Sequence, residues 1–385
     1  MKQLDGAPIV GMIGGGQLAR MTAEAATALG IGFRVLAATD TDPAAQVVRD
    51  VRIGSHEDRE AVLAFAQGCD VVTFDHEHVP TDILKELAAL GVEVRPSASA
   101  LAHAQDKLHM RQALTKMGAP SPAWAKVETS DDVAKFAAEN NWPVVLKTSR
   151  GGYDGKGVWV IDDVDQARAV MATPLAKNSL WLVEQFVPFV RELSAQVARS
   201  PHGQAVAYPV VQTKQTNGIC TEVIAPAPGL SDELALKAQQ IALRIAQELD
   251  VVGMLAVELF DTGDAIVVNE LAMRPHNSGH WSIEGAVTSQ FENHLRAVLD
   301  LPLGDPSTRS AAVVMVNVLG GTVGNLYSAY RHVFARDPEL KVHLYGKEVK
   351  PGRKVGHVTL LGDNADELLV RGRHAADYFS GTINE

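Results

Sequence analysis

Cysteine is nearly absent from this chain. Cys69 and Cys220 are the only two, 151 positions apart and outside any CxxC or Cys/His ligand spacing. Neither a disulfide framework nor a structural zinc site is expected, and a reducing, cytoplasmic setting fits. Positive charge is short as well: 35 Lys and Arg against 46 Asp and Glu give a formal charge of −11. That balance argues against a sequence-independent grip on nucleic acid. Long apolar runs are missing too. Val251–Phe260 is ten residues and contains Glu258, too short to span a bilayer. Asp5 and Gly6 stand where a signal peptide needs its apolar stretch. No internal repeat or low-complexity tract is present. What remains is a chain built to fold: 385 residues with 46% hydrophobic content predict two or three cored domains at roughly 150 residues each.

Hydrophobic periodicity orders these domains. Pro8 to Ile13 reads as a strand, Gly14-Gly15-Gly16 as a turn and Gln17 to Leu29 as a helix. Strands at Phe33–Ala37, Val71–Phe74 and Val92–Val94 alternate with helices at Arg59–Ala66 and Thr81–Leu90, the signature of a parallel sheet wrapped by helices. Lys107–Met117 reads as a helix, stopped by Gly118-Ala119-Pro120-Ser121-Pro122. A small second unit comes next, with strands at Trp124–Val127, Val144–Lys147, Val158–Ile161 and Leu180–Glu184 and helices at Asp131–Ala138 and Val164–Met171. Strand-like Leu193–Val197, Ala205–Val211 and Cys220–Ala225 then lead to a helix over Ser231–Leu249. Met254–Phe260 and Ala265–Asn269 flank the turn-forming run Asp261-Thr262-Gly263-Asp264, a predicted antiparallel hairpin. From about residue 312 strand-like and helix-like segments alternate again.

Several clusters point to chemistry. Gly14-x-Gly16-x-x-Ala19 with Asp40 farther on matches a dinucleotide fingerprint, although the same turn serves other phosphates or simply closes tightly. Lys147 ends a strand, and Gly151, Gly152, Gly155 and Gly157 with Arg150 and Lys156 follow it. Such a loop wraps phosphate oxygens with backbone N–H groups, or is a solvated hairpin tip. Glu258 and Glu270, both even-numbered, are expected on one face of the hairpin. Facing carboxylates need a cation between them, and Mg²⁺ suits them, with Asn269 alongside. Arg274-Pro275-His276-Asn277-Ser278-Gly279-His280-Trp281 is a polar loop directly after that strand. Lys347, Lys350, Arg353 and Lys354 make the only cationic cluster, suited to a phosphomonoester or simply solvated. His76 and His78 flank Glu77, but the sequence places no third histidine or cysteine to complete a metal site; a substrate-facing Glu77 is preferred.

On these residues the chain resembles the ATP-grasp superfamily, and within it the N5-carboxyaminoimidazole ribonucleotide synthetase family. The likeness rests on Gly14-Gly15-Gly16-Gln17-Leu18, Glu77-x-Val79-Pro80, Lys147 with Gly151 to Gly157, Val183-Glu184-Gln185, Asn269-Glu270-Leu271-Ala272, the Arg274 to Trp281 loop and Pro351-Gly352-Arg353-Lys354-Val355-Gly356-His357. Ala19, Asp75 and Met273 depart from residues usual in that family, namely glycine, glutamate and proline. Asp75 shortens a carboxylate by one methylene and leaves Glu77 in place.

The resemblance implies an α/β chain, α+β overall, with the ATP-grasp fold. A Rossmann-like parallel domain would cover 1–105, a central lid domain 106–188 and an antiparallel domain 189–385, with a substrate-binding extension from about 312. It implies an ATP-dependent ligase that uses Mg²⁺ to carboxylate 5-aminoimidazole ribonucleotide with bicarbonate through carboxyphosphate, as a cytoplasmic homodimer with no nucleic-acid or membrane partner. ATP would meet Lys107, Lys147, Gly152, Tyr153, Asp154, Gly155, Lys156, Gly157, Val158, Glu184, Gln185, Phe186, Val187, Glu192, Gln215, Asn269 and Glu270. The ribonucleotide would meet Gly16, Gln17, Glu77, Tyr153, Asp154, Arg274, His276, Asn277, Lys347, Arg353 and Lys354. Catalytic roles would fall to Tyr153, Asp154, Arg274 and Lys354, and Glu258 and Glu270 would hold the metal. Three alternatives stand beside this: a formate-dependent glycinamide ribonucleotide transformylase, an NAD-dependent oxidoreductase, and a non-catalytic ATP-binding regulator.

Overall fold

The computed structural model describes residues 6–152, 155–176 and 178–384; the expectations for Tyr153 and Asp154 lie outside them. The first unit contains β1 (Ile9–Ile13), α1 (Gln17–Leu29), β2 (Gly32–Ala37), β3 (Asp50–Ile53), α2 (Arg59–Ala66), β4 (Val71–Phe74), α3 (Thr81–Ala89), β5 (Glu93–Val94), α4 (Ala98–Gln105) and α5 (Lys107–Lys116). Its sheet runs β3-β2-β1-β4-β5 with every pairing parallel. Periodicity shows neither β3 nor α4. β3 is a half-exposed edge strand, and α4 is an alanine-rich helix with a weak apolar stripe, started by the Ser97 side chain accepting from the Ala100 amide.

Between β6 (Trp124–Val127) and β9 (Trp181–Gln185) lie α6 (Ser130–Asn140), β7 (Val144–Thr148), β8 (Val158–Ile161) and α7 (Val164–Met171). The sheet order is β6-β9-β7-β8. Val133, Phe136, Leu146, Ile161, Trp181 and Val183 form a core of its own, so this unit is a self-contained cover over what it faces.

The largest sheet has nine strands in antiparallel pairs. It takes in β10 (Arg191–Arg199), β11 (Ala205–Ala207), β12 (Val211–Thr216), β13 (Ile219–Ala225), β14 (Gly253–Asp261) and β15 (Ile266–Ala272), with α8 (Asp232–Glu248), α9 (Ser282–Gly285) and α10 (Gln290–Val298). The single strand expected over Ala205–Val211 is two strands here. They part around Pro209, which has no N–H for a ladder. β16 (Ala312–Leu319), α11 (Tyr330–Arg336), β17 (Lys341–Leu344), β18 (Lys354–Gly362) and α12 (Ala365–Ser380) complete the chain. β16 pairs with β13, so the last segment prolongs the same sheet. The main core runs on from Phe74 and Leu84 through Met110 and Leu114 to Val257 and Leu271, joining the first unit to the large sheet.

The β14–β15 hairpin carries one irregularity. Near the turn, Asp261 pairs with Ile266 and Leu259 with Val268, but Glu258 pairs with Glu270. Asn269 is therefore an extra residue, a β-bulge. Continued without it, the turn's register would set Glu258 opposite Asn269 and send Glu270 to the other face, because side chains alternate. The shared even numbering does not by itself put the glutamates together. The bulge does, by shifting the register one residue.

Candidate active site

A cavity of about 1140 Å³ lies between the three units. Among the described residues, eight Lys or Arg side chains and six Asp or Glu side chains line it, a local cationic excess in a chain of net charge −11. All the described residues expected to bind ATP, ribonucleotide or metal line it except Gly16 and Gly157. The Gly157 carbonyl accepts from the Thr148 amide in the β7–β8 hairpin. Lys350 also turns away, to Glu348 at 2.8 Å.

The Gly16 amide donates to Asp75 Oδ2 at 2.5 Å. A Cβ on Gly14, whose φ is +108°, would lie 1.7 Å from Asp75 Oδ1. The Asp75 carboxylate thus fills the place where a dinucleotide pyrophosphate would approach the turn, and this is the physical reason against the nicotinamide reading. Burial pushes Asp75 up to about 7, against the Gly16 N–H and Arg274, which pull it down. Gly14→Ala is expected to cost about 1–3 kcal/mol from backbone strain alone, with the clash added. Urea unfolding beside Gly203→Ala separates the two: Gly203 has φ +84° and nothing within 4 Å of a Cβ. Equal losses would refute the steric role of Asp75.

At one end of the cavity a slot is walled by Val145, Val158, Val160, Phe186, Val187, Phe189 and Phe260, with the Phe189 and Phe260 rings stacked at 4.6 Å. β9 ends beside it. Glu184 does not offer its carboxylate there: Oε1 accepts from Arg111 Nε at 2.6 Å, and Oε2 lies 2.7 Å from Lys147 Nζ. Burial would raise this acid, yet Lys147 and Arg111 overrule it and hold it at about 2. The end of β9 therefore meets a base through its backbone and the exposed Gln185 rather than through the Glu184 carboxylate.

Arg111 is fully buried, and nothing in the sequence motifs marks it as a site residue. It also donates to the carbonyls of Val268 at 3.0 Å and Asn269 at 2.8 Å, so it clamps β9 to the bulge in β15. The available signal was its spacing: Lys107 and Arg111, like charges four apart on a helix, repel unless anions face them.

In mid-cavity Glu258 and Glu270 face each other. Burial and the neighbouring Glu270 raise Glu258, whereas Lys107, 2.8 Å away, lowers Glu270 against its burial. Lys147 Nζ also donates to Asn269 Oδ1 at 3.3 Å. Two hard oxygen ligands in mutual repulsion fit a divalent cation. Among the described residues no group of three or more His, Cys, Asp or Glu is arranged to hold a metal. A cation here would therefore take the rest of its shell from phosphate oxygens and water, as Mg²⁺ does.

The far end carries Gln17, Glu77, Arg274, His276, Asn277, Lys347, Arg353 and Lys354. Glu77 Oε1 lies 2.8 Å from Arg274 Nε. His276 Nδ1 is 2.8 Å from Ser278 Oγ, and Nε2 is 3.5 Å from Glu258. Burial, then Arg274 and Lys354, hold this imidazole well below its usual range, hence neutral. The rest of the polar loop is structural: Ser278 meets Ser194 and Gln196, and His280 and Trp281 are buried. Asn277 exchanges hydrogen bonds at 3.0 and 2.8 Å with Asn317, the lone polar residue of apolar β16. His56 supplies a third imidazole beside His76 and His78, at 4.5 and 6.4 Å between ring centroids. It comes from twenty residues upstream, but the rings pack on one another, and burial depresses His56 and His76.

Three family models match the chain: a ribonucleotide synthetase preATP-grasp domain over 8–105, an ATP-grasp domain over 112–291 and a phosphoribosylaminoimidazole carboxylase C-terminal domain over 313–371. N5-carboxyaminoimidazole ribonucleotide synthase from Mycobacterium tuberculosis is 55% identical over 97% of this chain and 88% of its own length. Among solved structures, the synthetase from Thermus thermophilus is 38% identical with TM-score 0.85, covering 98% of this chain and 99% of that one. The Aspergillus clavatus synthase, in complex with ADP and 5-aminoimidazole ribonucleotide, is 34% identical with TM-score 0.89, covering 97% and 99%.

Proposed function

From the premise that the chain belongs to the N5-carboxyaminoimidazole ribonucleotide synthase family, we propose that this ATP-dependent ligase joins bicarbonate to the exocyclic amine of 5-aminoimidazole ribonucleotide, releasing ADP and phosphate in purine biosynthesis. The observation that carries the reading is one cavity with an apolar slot and phosphate-binding cations at one end, a carboxylate pair in the middle and a second cationic cluster at the other. ATP suits the first and a nucleoside monophosphate the last.

Bicarbonate is a poor electrophile. One of its oxygens takes the γ-phosphoryl group, forming an O–P bond as the bond to ADP breaks; the amine nitrogen then attacks the carbonyl carbon and gives up a proton, and phosphate leaves with the C–O bond pair and takes that proton up. The first step needs in-line positioning and charge neutralisation rather than a covalent nucleophile. Lys147, held by Glu184 and Asn269, supplies positive charge to the polyphosphate with Lys107 and the glycine loop. A magnesium ion held by Glu258 and Glu270 would draw charge from the transferring phosphoryl group. Arg274, fixed by Glu77, and neutral His276 face the carboxyl-transfer region, and Lys347, Arg353 and Lys354 take the ribonucleotide phosphate. Asp154 and Tyr153 are assigned to the amine by family likeness. The central unit covers the cavity and keeps water from the carboxyphosphate, which hydrolyses readily. The same premise carries a cytoplasmic homodimer.

The test is ADP release with Mg-ATP and bicarbonate, with and without 5-aminoimidazole ribonucleotide, beside an arm with glycinamide ribonucleotide and formate. Stimulation in the first arm alone is expected. Stimulation only in the formate arm would transfer the protein to the transformylase reading.

A further inference from the structure

Lys107 holds an unusual position for a phosphate-binding lysine. Its backbone is fixed twice: its amide donates to the Ser149 carbonyl at 2.8 Å, and the preceding Asp106 caps α5 and pairs with Arg150 at 2.7 Å. Its side chain is largely buried, and its ammonium lies 2.8 Å from Glu270 Oε1. Lys147 differs, because its own anion is Glu184, outside the facing pair. One cation of the cavity therefore rests on an oxygen of the carboxylate pair itself.

We propose that Lys107 is the resident counter-ion of the Glu258/Glu270 pair: without nucleotide it neutralises Glu270 and holds off free divalent cations, and nucleotide phosphates draw it away so that cation and nucleotide enter together. The inference rests on the metal assignment under the proposed function. Its physical basis is competition. A divalent cation bound to Glu270 repels an ammonium in hydrogen-bond contact with the same carboxylate, and both can stay only when Lys107 gains another anion. The long, flexible lysine stem permits that turn while the anchored backbone stays still. Phosphate oxygens are that anion, so nucleotide and metal strengthen each other's binding, and by linkage the effect is reciprocal.

The experiment titrates the full-length protein with Mn²⁺ in the absence of nucleotide, reading free Mn²⁺ by electron paramagnetic resonance. Lys107→Met is expected to bind Mn²⁺ at least tenfold more tightly than wild type, while its affinity for ADP falls. In Lys107→Met/Glu270→Gln the gain should vanish, which ties the cation to the pair. Lys107→Gln, which keeps a hydrogen-bond donor without the charge, should act in the same direction and stands in if the methionine variant does not fold. Unchanged Mn²⁺ affinity in the folded Lys107 variant overturns the counter-ion role. A gain that survives Glu270→Gln overturns the pair as the metal seat, and the counter-ion role with it.

Discussion

Glu270→Gln is expected to lower Mg²⁺-dependent turnover at least about a hundredfold, the scale on which loss of one preorganised electrostatic partner acts on a charged transition state. The amide keeps the shape of the side chain and loses its anionic oxygen. Two effects compound. The bulge at Asn269 brings Glu270 opposite Glu258, so the substitution halves the anionic charge that the pair offers a cation beside the phosphate oxygens. Before nucleotide binds, it also strips Lys107 of its only carboxylate contact within 4 Å among the described residues. The measurement is turnover against Mg²⁺ concentration at saturating ATP. A Mg²⁺ curve like that of the wild type would remove Glu270 from the metal seat.

Glu184→Gln should destabilise the fold by about 3–5 kcal/mol, because removing one member of a buried ion-pair group strands the charges it balanced. Arg111 and Lys147 both depend on this carboxylate. Because Lys147 loses its anchor as well, KM for ATP should rise more than kcat falls. The pH dependence has a definite sign. Burial raises Glu184, the two cations overrule it, and the folded value of about 2 lies below the ordinary 4.5. The stabilisation is thus complete above pH 4.5 and is lost as pH falls toward 2. Urea unfolding of both proteins from pH 7 downward should show the gap narrowing across that window. A gap of constant size would mean that Glu184 acts by packing and not by charge.

The elements that carry these effects differ in how openly the sequence shows them. α1, α2, β4, β6, β8 and α7 lie where periodicity and turn residues place them, because each pattern needs only its own segment. β3 and α4 escape because an edge strand and an alanine-rich helix have little apolar contrast. The HNSGHW string divides in a way that composition hides: Asn277 and His276 face the cavity, whereas His280 and Trp281 are core. Arg111 and Asn317 each left a trace, one as a like-charge repeat on a helix and the other as a polar interruption of an apolar strand. Their partners, Glu184 and Asn277, lie 73 and 40 residues away, and no local pattern names them.

By itself the sequence determined the alternation of strands and helices, the glycine turns, the poverty of cysteine and basic charge, and a family whose chemistry needs ATP and a hard cation. These follow from residue type and spacing, which act locally. Tertiary structure alone decided which groups meet. It placed the Asp75 carboxylate in the glycine turn, closing it to a dinucleotide, gave Glu184 to two cations, and inserted Asn269 as the bulge that faces the glutamates toward one another. Each depends on groups far apart in the chain or on a register that a one-residue shift reverses, and the free energy that selects among them comes from burial, hydrogen bonding and charge pairing, which exist only once the chain has folded.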